Sequence, residues 1–220
     1  MNKTEGSSSY GWREKLASAA AISLMLVIVL TALPGYSASK SVLVLGDSIS
    51  AEYGLPRGTG WVALMQQKLS AEKPQVVVIN ASISGETTAG GKTRLPSLLQ
   101  EHKPGLLIIE LGGNDGLRGL SLDATQSNFQ AMIAMANKAG VRVLLLGMQM
   151  PPNYGLAYSK RFAGMYQDLS HAHGVRLVPF FLTGLEDTDH YFQPDRIHPN
   201  QLAQSKMLGN VWPALKTLLK

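Results

Sequence analysis

Four short segments, far apart in the chain, hold between them the groups that acyl transfer through a serine requires: Gly46-Asp47-Ser48, Ser84-Gly85, Gly113-Asn114-Asp115 and Asp195-Arg196-Ile197-His198. Ser48 supplies a hydroxyl nucleophile and His198 a base to take its proton. Asp195, three residues before His198, can fix the imidazole tautomer and favour the imidazolium that forms as the proton moves. The backbone N–H groups of Ser48 and Gly85 and the Asn114 carboxamide can donate to the oxyanion of a tetrahedral intermediate. Losing one such donor typically raises the barrier by about 2.7–4 kcal/mol. Taken singly, each fragment has a plainer explanation. Asp and Ser commonly cap a following segment, Gly, Asn and Asp dominate turns, and a lone His commonly sits on an exposed loop. The weight rests on their occurring together.

The elements between them say whether they can meet. Apolar runs at residues 42–45, 76–79, 106–110, 141–146 and 175–178 read as strands. Amphipathic stretches at 61–69, 95–100, 129–138, 157–172 and 201–219 read as helices, with Pro213 expected to kink or break the last one. Continuous rather than alternating apolar strands suit a parallel sheet covered on both faces, hence a three-layer α/β/α, flavodoxin-like domain with five parallel strands. Ligands of open parallel sheets bind beyond the carboxyl ends of the strands. Ser48, Gly85 and Asn114 each follow a predicted strand and should converge on that edge, with Ser48 opening a helix.

Several other chemistries are disfavoured. The chain has no Cys, which removes disulfides, thiol nucleophiles and Cys-ligated metals. Its charge of +5 is spread singly, without a Lys/Arg run or interleaved aromatics, so no nucleic-acid partner is expected. His171-x-His173 has no carboxylates arranged around it for metal ligation. Gly91-Lys92-Thr93 resembles the end of a phosphate loop, but Glu86 stands where that loop needs glycine. The Gly-x-Ser-x-Gly elbow of α/β-hydrolases is absent.

Residues 1–39 read differently from the rest. Lys3, Arg13 and Lys15 precede an apolar run at 16–33, then Pro34-Gly35 and the small residues Ser37, Ala38 and Ser39. This pattern describes a secretory signal peptide cleaved between Ser37 and Ser39; an uncleaved membrane anchor is the alternative. Residues 40–220 then form one domain of an exported protein.

Gly46-Asp47-Ser48-Ile49, Gly85, Gly112-Gly113-Asn114-Asp115 and Asp195-x-x-His198 together resemble the four blocks of the SGNH, or GDSL, hydrolases. The likeness is closest to the bacterial periplasmic thioesterase–arylesterase–lysophospholipase group and spans residues 42–215. It implies Ser48 as nucleophile, His198 as base, Asp195 as its partner, and the Ser48 amide, Gly85 amide and Asn114 side chain as the oxyanion hole. It also implies no metal or organic cofactor, and Ile49 stands where the family usually has Leu. The expected reaction is hydrolysis of acyl esters and thioesters or lysophospholipids, by a monomer that can touch a membrane surface. Candidate substrate contacts are Asp47, Leu117, Met150, Pro151, Tyr154 and Ile197. The Met/Pro-rich stretch at 147–155 and the loop at 116–120 would form an acyl groove, although core packing explains the former equally well. Two rivals remain, a carbohydrate acetyl esterase and a non-catalytic lipid-binding protein.

Overall fold

A computed structural model describes residues 41–220 of the chain; the expected leader at 1–39 lies outside the described residues. Five parallel strands, β1 (Ser41–Gly46), β2 (Val77–Asn80), β3 (Leu106–Glu110), β4 (Arg142–Leu146) and β5 (Arg176–Val178), form one sheet in the order β2-β1-β3-β4-β5. Every residue of β3 is buried, as continuous Leu and Ile predict for a central strand covered on both faces. β2 is an edge and only half covered, with Val77 exposed.

The helices are α1 (Trp61–Glu72), α2 (Thr88–His102), the short α3 (Gly113–Leu117), α4 (Leu122–Lys138), α5 (Leu156–His173), the one-turn α6 (Thr188–Tyr191) and α7 (Gln204–Leu218). Helices α1 and α7 pack together on one face of the sheet, and α2, α4 and α5 cover the other. Trp61 of α1 meets Phe181 edge-on, with ring centroids 5.1 Å apart. Across the sheet Phe129, Phe162 and Tyr166 make the corresponding aromatic cluster. The expected three-layer sandwich is therefore the observed fold.

Three local expectations are corrected. After β1 the chain does not enter a helix at Ser48. It makes consecutive turns, with the Ala51 amide donating to the Asp47 carbonyl (2.9 Å) and Tyr53 to Ser48 (3.1 Å), and α1 begins only at Trp61. Helix α2 starts at Thr88, ahead of the stretch at 95–100 read as helical, with the Thr87 hydroxyl capping it by accepting the Gly90 amide at 3.3 Å. At Gly91 the bare backbone is needed for packing: a Cβ there would stand 2.5 Å from Leu111 Cδ1. Pro213 lies inside α7 without ending it, as Pro96 does in α2. Both prolines are on exposed positions, where water can reach the carbonyls they leave unbonded.

The register sets the site. Gly46 of β1 is level with Glu110 of β3, so the two central strands release their chains side by side. Gly147, leaving β4, donates to the Val178 carbonyl and accepts from the Phe181 amide, both at 2.8 Å. A Cβ at Gly147 would lie 2.3 Å from the Pro179 carbonyl oxygen, which is backbone and cannot swing away. Gly147→Ala should destabilise the fold by about 1–3 kcal/mol in urea unfolding. A change below about 0.5 kcal/mol would mean that the exits of β4 and β5 separate freely.

Candidate active site

Ser48 and His198 come from opposite ends of the domain and meet. His198 Nε2 lies 2.9 Å from Ser48 Oγ, and His198 Nδ1 lies 2.7 Å from Asp195 Oδ2. The second contact is built locally. Asp195 Oδ1 accepts the amides of Ile197 (2.9 Å) and His198 (3.0 Å), and Arg196 adopts a left-handed φ of 57° so the turn can close. The slight burial of Asp195 pushes its carboxyl up, but the hydrogen bonds from the His198 amide, the imidazole and the Ile197 amide outweigh it and hold the group at about 2. It is therefore an anion at neutral pH, suited to stabilise an imidazolium.

The first contact needs long-range anchoring. Phe192 and Pro199 form an antiparallel bridge, and the Gln193 amide donates to the His198 carbonyl at 2.8 Å. Gln193 Nε2 reaches the Tyr53 carbonyl at 2.8 Å, tying the histidine loop to the turn after Ser48. The Tyr53 ring lies against the imidazole with centroids 4.3 Å apart. Gln204 completes the tie: it donates to the Asn200 carbonyl at 2.9 Å and accepts the Trp61 amide at 3.0 Å.

Asn114 bridges the other exits. Its Nδ2 donates to Asp47 Oδ2 at 3.1 Å and to the Glu86 carbonyl at 3.0 Å. It thus joins the residue before Ser48 to the residue after Gly85. The amides of Ser48 and Gly85 donate to no acceptor among the described residues. Gly85 has φ +79°, a conformation that suits glycine, and Arg118 Nη2 holds its carbonyl at 2.9 Å. The expected donor set is therefore gathered in one place, with two of its three members free.

Beneath it lies a buried acidic layer. Asp47 is only 2 % exposed, and burial raises its carboxyl to about 6 despite bonds from the Ile49 amide (3.0 Å) and Asn114 and the pull of His198. Glu110 is fully buried and lies well above the ordinary carboxylate range, through burial and then the neighbouring Asp47 charge. Asp115 is also buried; it accepts Thr88 Oγ1 at 2.5 Å and the Thr88 amide at 2.9 Å, pinning the start of α2 to α3. Sequence reasoning missed Glu110 and Thr88. The available signal was an acid closing a wholly apolar strand, a place where a charge is costly.

The expected substrate contacts divide. Asp47 is a correction: being buried and bonded to Asn114, it orients that side chain and does not line a groove. Met150 is a second correction. It is 7 % exposed, and a Cβ on Gly116 would stand 2.5 Å from its sulfur, so it packs beneath the 116–120 loop. Tyr154 is half-buried and donates to the Leu117 carbonyl at 3.1 Å, while Tyr158 donates to that of Gly116 at 3.2 Å. These rings brace the loop from below. Pro151, beyond β4, and Ile197, in the histidine loop, are exposed, and Leu117, the last residue of α3, is half-buried. Around the same edge stand the exposed Tyr53, Ile83, Leu120, Leu156 and Leu202.

A groove of about 790 Å³ lies elsewhere, lined by Arg142, His171, His173 and Arg176 among others, at the amino edge of the sheet. Helices α4, α5 and α7 end there, and cations beside unpaired helix carbonyls are ordinary compensation. Among the described residues no cluster of three His, Cys, Asp or Glu is arranged to hold a metal ion.

The profile of the GDSL-like Lipase/Acylhydrolase family matches residues 44–205. Esterase TesA of Pseudomonas aeruginosa is 49% identical over 87% of this chain and 96% of its own length. The Escherichia coli K12 protein named thioesterase 1/protease 1/lysophospholipase L1 is 38% identical over 76% of this chain and 79% of its own. A crystal structure of TesA superposes with a TM-score of 0.79 at 50% identity, covering 81% of this chain and 99% of that one.

Asp47 links stability to chemistry. Its folded value of about 6 exceeds the ordinary 3.8, so the folded state binds the proton more tightly and loses stability as pH rises from about 4 to 6. Asp47→Asn should therefore be more stable than wild type at pH 7 in urea unfolding, by a margin that shrinks toward pH 4. Its single carbonyl oxygen cannot serve both Ile49 and Asn114, so kcat should fall at least about tenfold. A margin independent of pH would show that Asp47 carries no buried charge.

Proposed function

The chain belongs to the GDSL-like lipase/acylhydrolase family and is a serine ester hydrolase of it; we propose that Ser48 is its nucleophile, His198 its base and Asp195 the partner of that base. The observation that carries this reading is the continuous chain from Ser48 Oγ to His198 Nε2 at 2.9 Å and from His198 Nδ1 to Asp195 Oδ2 at 2.7 Å. His198 takes the Ser48 proton as Oγ attacks the acyl carbonyl. The negative charge that develops on the carbonyl oxygen is met by the unpaired amides of Ser48 and Gly85 and by Asn114 Nδ2. Both Nδ2 hydrogens are already engaged, so the oxyanion shares one of them, and charge-assisted bonds are the stronger competitors. Protonated His198 passes its proton to the departing alcohol or thiol. Water, activated by the same imidazole, then cleaves the acyl-serine ester and releases the carboxylic acid.

The substrates are acyl esters of medium or long chain, with thioesters and lysophospholipids included. Apolar side chains ring the carboxyl edge while the polar groups lie below, a division suited to an acyl chain over a reacting carbonyl. The name of the Escherichia coli relative supports the wider leaving-group range. The protein acts as an exported monomer whose site is complete within one chain, and the apolar rim can rest on a membrane surface. No helix among the described residues is long and apolar enough to cross one.

A fluorophosphonate probe should label wild type and leave Ser48→Ala unlabelled. Across p-nitrophenyl esters, kcat/KM should rise from acetyl toward medium chains. Labelling of Ser48→Ala would remove the nucleophile assignment, and activity confined to acetyl esters would favour the carbohydrate acetyl esterase reading.

A further inference from the structure

Glu110 takes no part in the reaction as described, yet it is wholly buried directly beneath the nucleophile turn. Its Oε2 accepts the Ser50 hydroxyl at 2.6 Å and, more loosely, the Asp47 amide at 3.4 Å. Ser50 is held in turn: its Oγ accepts Trp61 Nε1 at 3.1 Å, and its carbonyl accepts Asn80 Nδ2 at 2.8 Å. The residues on either side of Ser48 are thus both attached to one carboxyl group. Glu110 Oε1 has no partner and no solvent contact.

We propose that Glu110 is a positioning residue for this reaction, an uncharged carboxylic acid that clamps the Asp47–Ser50 turn and so fixes the Ser48 hydroxyl and amide against His198 and the oxyanion. The proposal rests on Ser48 being the nucleophile. The uncharged form follows from the surroundings. A carboxylate oxygen without a donor, sealed from water, is among the costliest arrangements in a protein, whereas a neutral acid in the same place leaves only weak valences unmet. The groups that face it reinforce this, since Asp47 from the β1 exit is a like charge and Tyr166 from α5 is a neutral phenol; Asp115 from α3 acts on those two neighbours. The pull of His198 falls on Asp47, and no cation acts on Glu110 among the described residues. The direction of the Glu110 shift, well above the ordinary range, agrees.

An uncharged clamp makes a prediction that an ionic one does not. Glu110→Gln is neutral and nearly isosteric, and its carbonyl can still accept from Ser50 and Asp47. It should keep kcat within about threefold of wild type and leave the acid limb of kcat/KM against pH in place, because no charge has been removed. Glu110→Leu keeps the bulk but strands both donors. It should lower kcat by about 100-fold, the scale of a small misplacement of reacting groups, with KM little changed and fluorophosphonate labelling slowed in proportion. Ser50→Ala, which severs one link and leaves Glu110 intact, should fall between the two.

All variants are assayed well below their melting temperatures beside Leu215→Ala, a buried core substitution near the end of α7, at the opposite edge of the sheet from the site. If Leu215→Ala loses as much stability as Glu110→Leu but keeps kcat, the loss at Glu110 is one of positioning. Should Glu110→Leu retain wild-type kcat, the clamp is not needed. If Glu110→Gln falls as far as Glu110→Leu, or shifts the acid limb, the group is charged; either result overturns the proposal. Where Glu110→Leu does not fold, Ser50→Ala and Glu110→Gln decide by the same readings. Failure of wild type to label at Ser48 would instead strike the catalytic assignment itself.

Discussion

The level ending of β1 and β3 is the constraint from which the site follows. Because Gly46 is paired with Glu110, Asp47 and Leu111 leave the sheet together, and the loops that carry Ser48 and Asn114 start as neighbours. Both faces of β3 are buried, so a slip of one residue would not expose its leucines and isoleucines; it would interchange the side chains of two differently shaped packing layers and carry the Glu110 carboxyl away from Ser50. Packing therefore sets the register, and the register sets the distance between the nucleophile turn and the Asn114 carboxamide. Catalytic geometry is inherited from packing, which explains how an open edge can hold hydrogen bonds near 3 Å.

Electrostatics then divides the site into two layers with opposite pH behaviour. Asp195 is depressed to about 2 by hydrogen bonds, so its contribution to stability is present above 3.8 and is lost as pH falls toward 2. Asp47, raised to about 6, opposes folding above that range. The upper carboxylate stays charged at little cost because its side chain is 37% exposed and well bonded. The lower acids are buried where charge is expensive, and they hold the scaffold without touching substrate. Such an acidic floor costs stability and gives an Asn114 amide that cannot rotate its oxygen toward a developing anion.

Much of this was legible in the sequence because the strands are short, apolar and separated by helices of clear period. The apolar run at 106–110 coincides with β3, and the position of each of the three donors after an apolar run is enough to put it at a strand exit. Asp195 and His198, three residues apart, were legible as a local turn. What escaped notice depends on tertiary contact. Gly90 and Gly91 signal a break in any local reading, yet α2 runs through them because it lies tight against Leu111. Met150 and Tyr154 looked like groove residues because Met and aromatics line grooves and cores alike, and only the position of Gly116 above Met150 decides between them. Asp47 was read as a substrate contact since nothing in Gly-Asp-Ser shows which way the carboxylate turns.

The histidine loop shows how far the site relies on parts that carry no chemistry. His198 is separated from Ser48 by most of the domain, and the final approach is made by loop, not by strand. An unsupported loop would sample many positions, and each ångström of drift would be lost from the encounter with Oγ. Here the loop is fastened at both ends of its span: Asn200 donates to the His190 carbonyl at 2.8 Å, and Gln193 to that of Tyr53 at the same distance. Tyr53 belongs to the same turn as Ser48, so base and nucleophile are referred to one piece of backbone. A displacement of that turn carries both groups with it, and their separation is preserved even where the outer loops move.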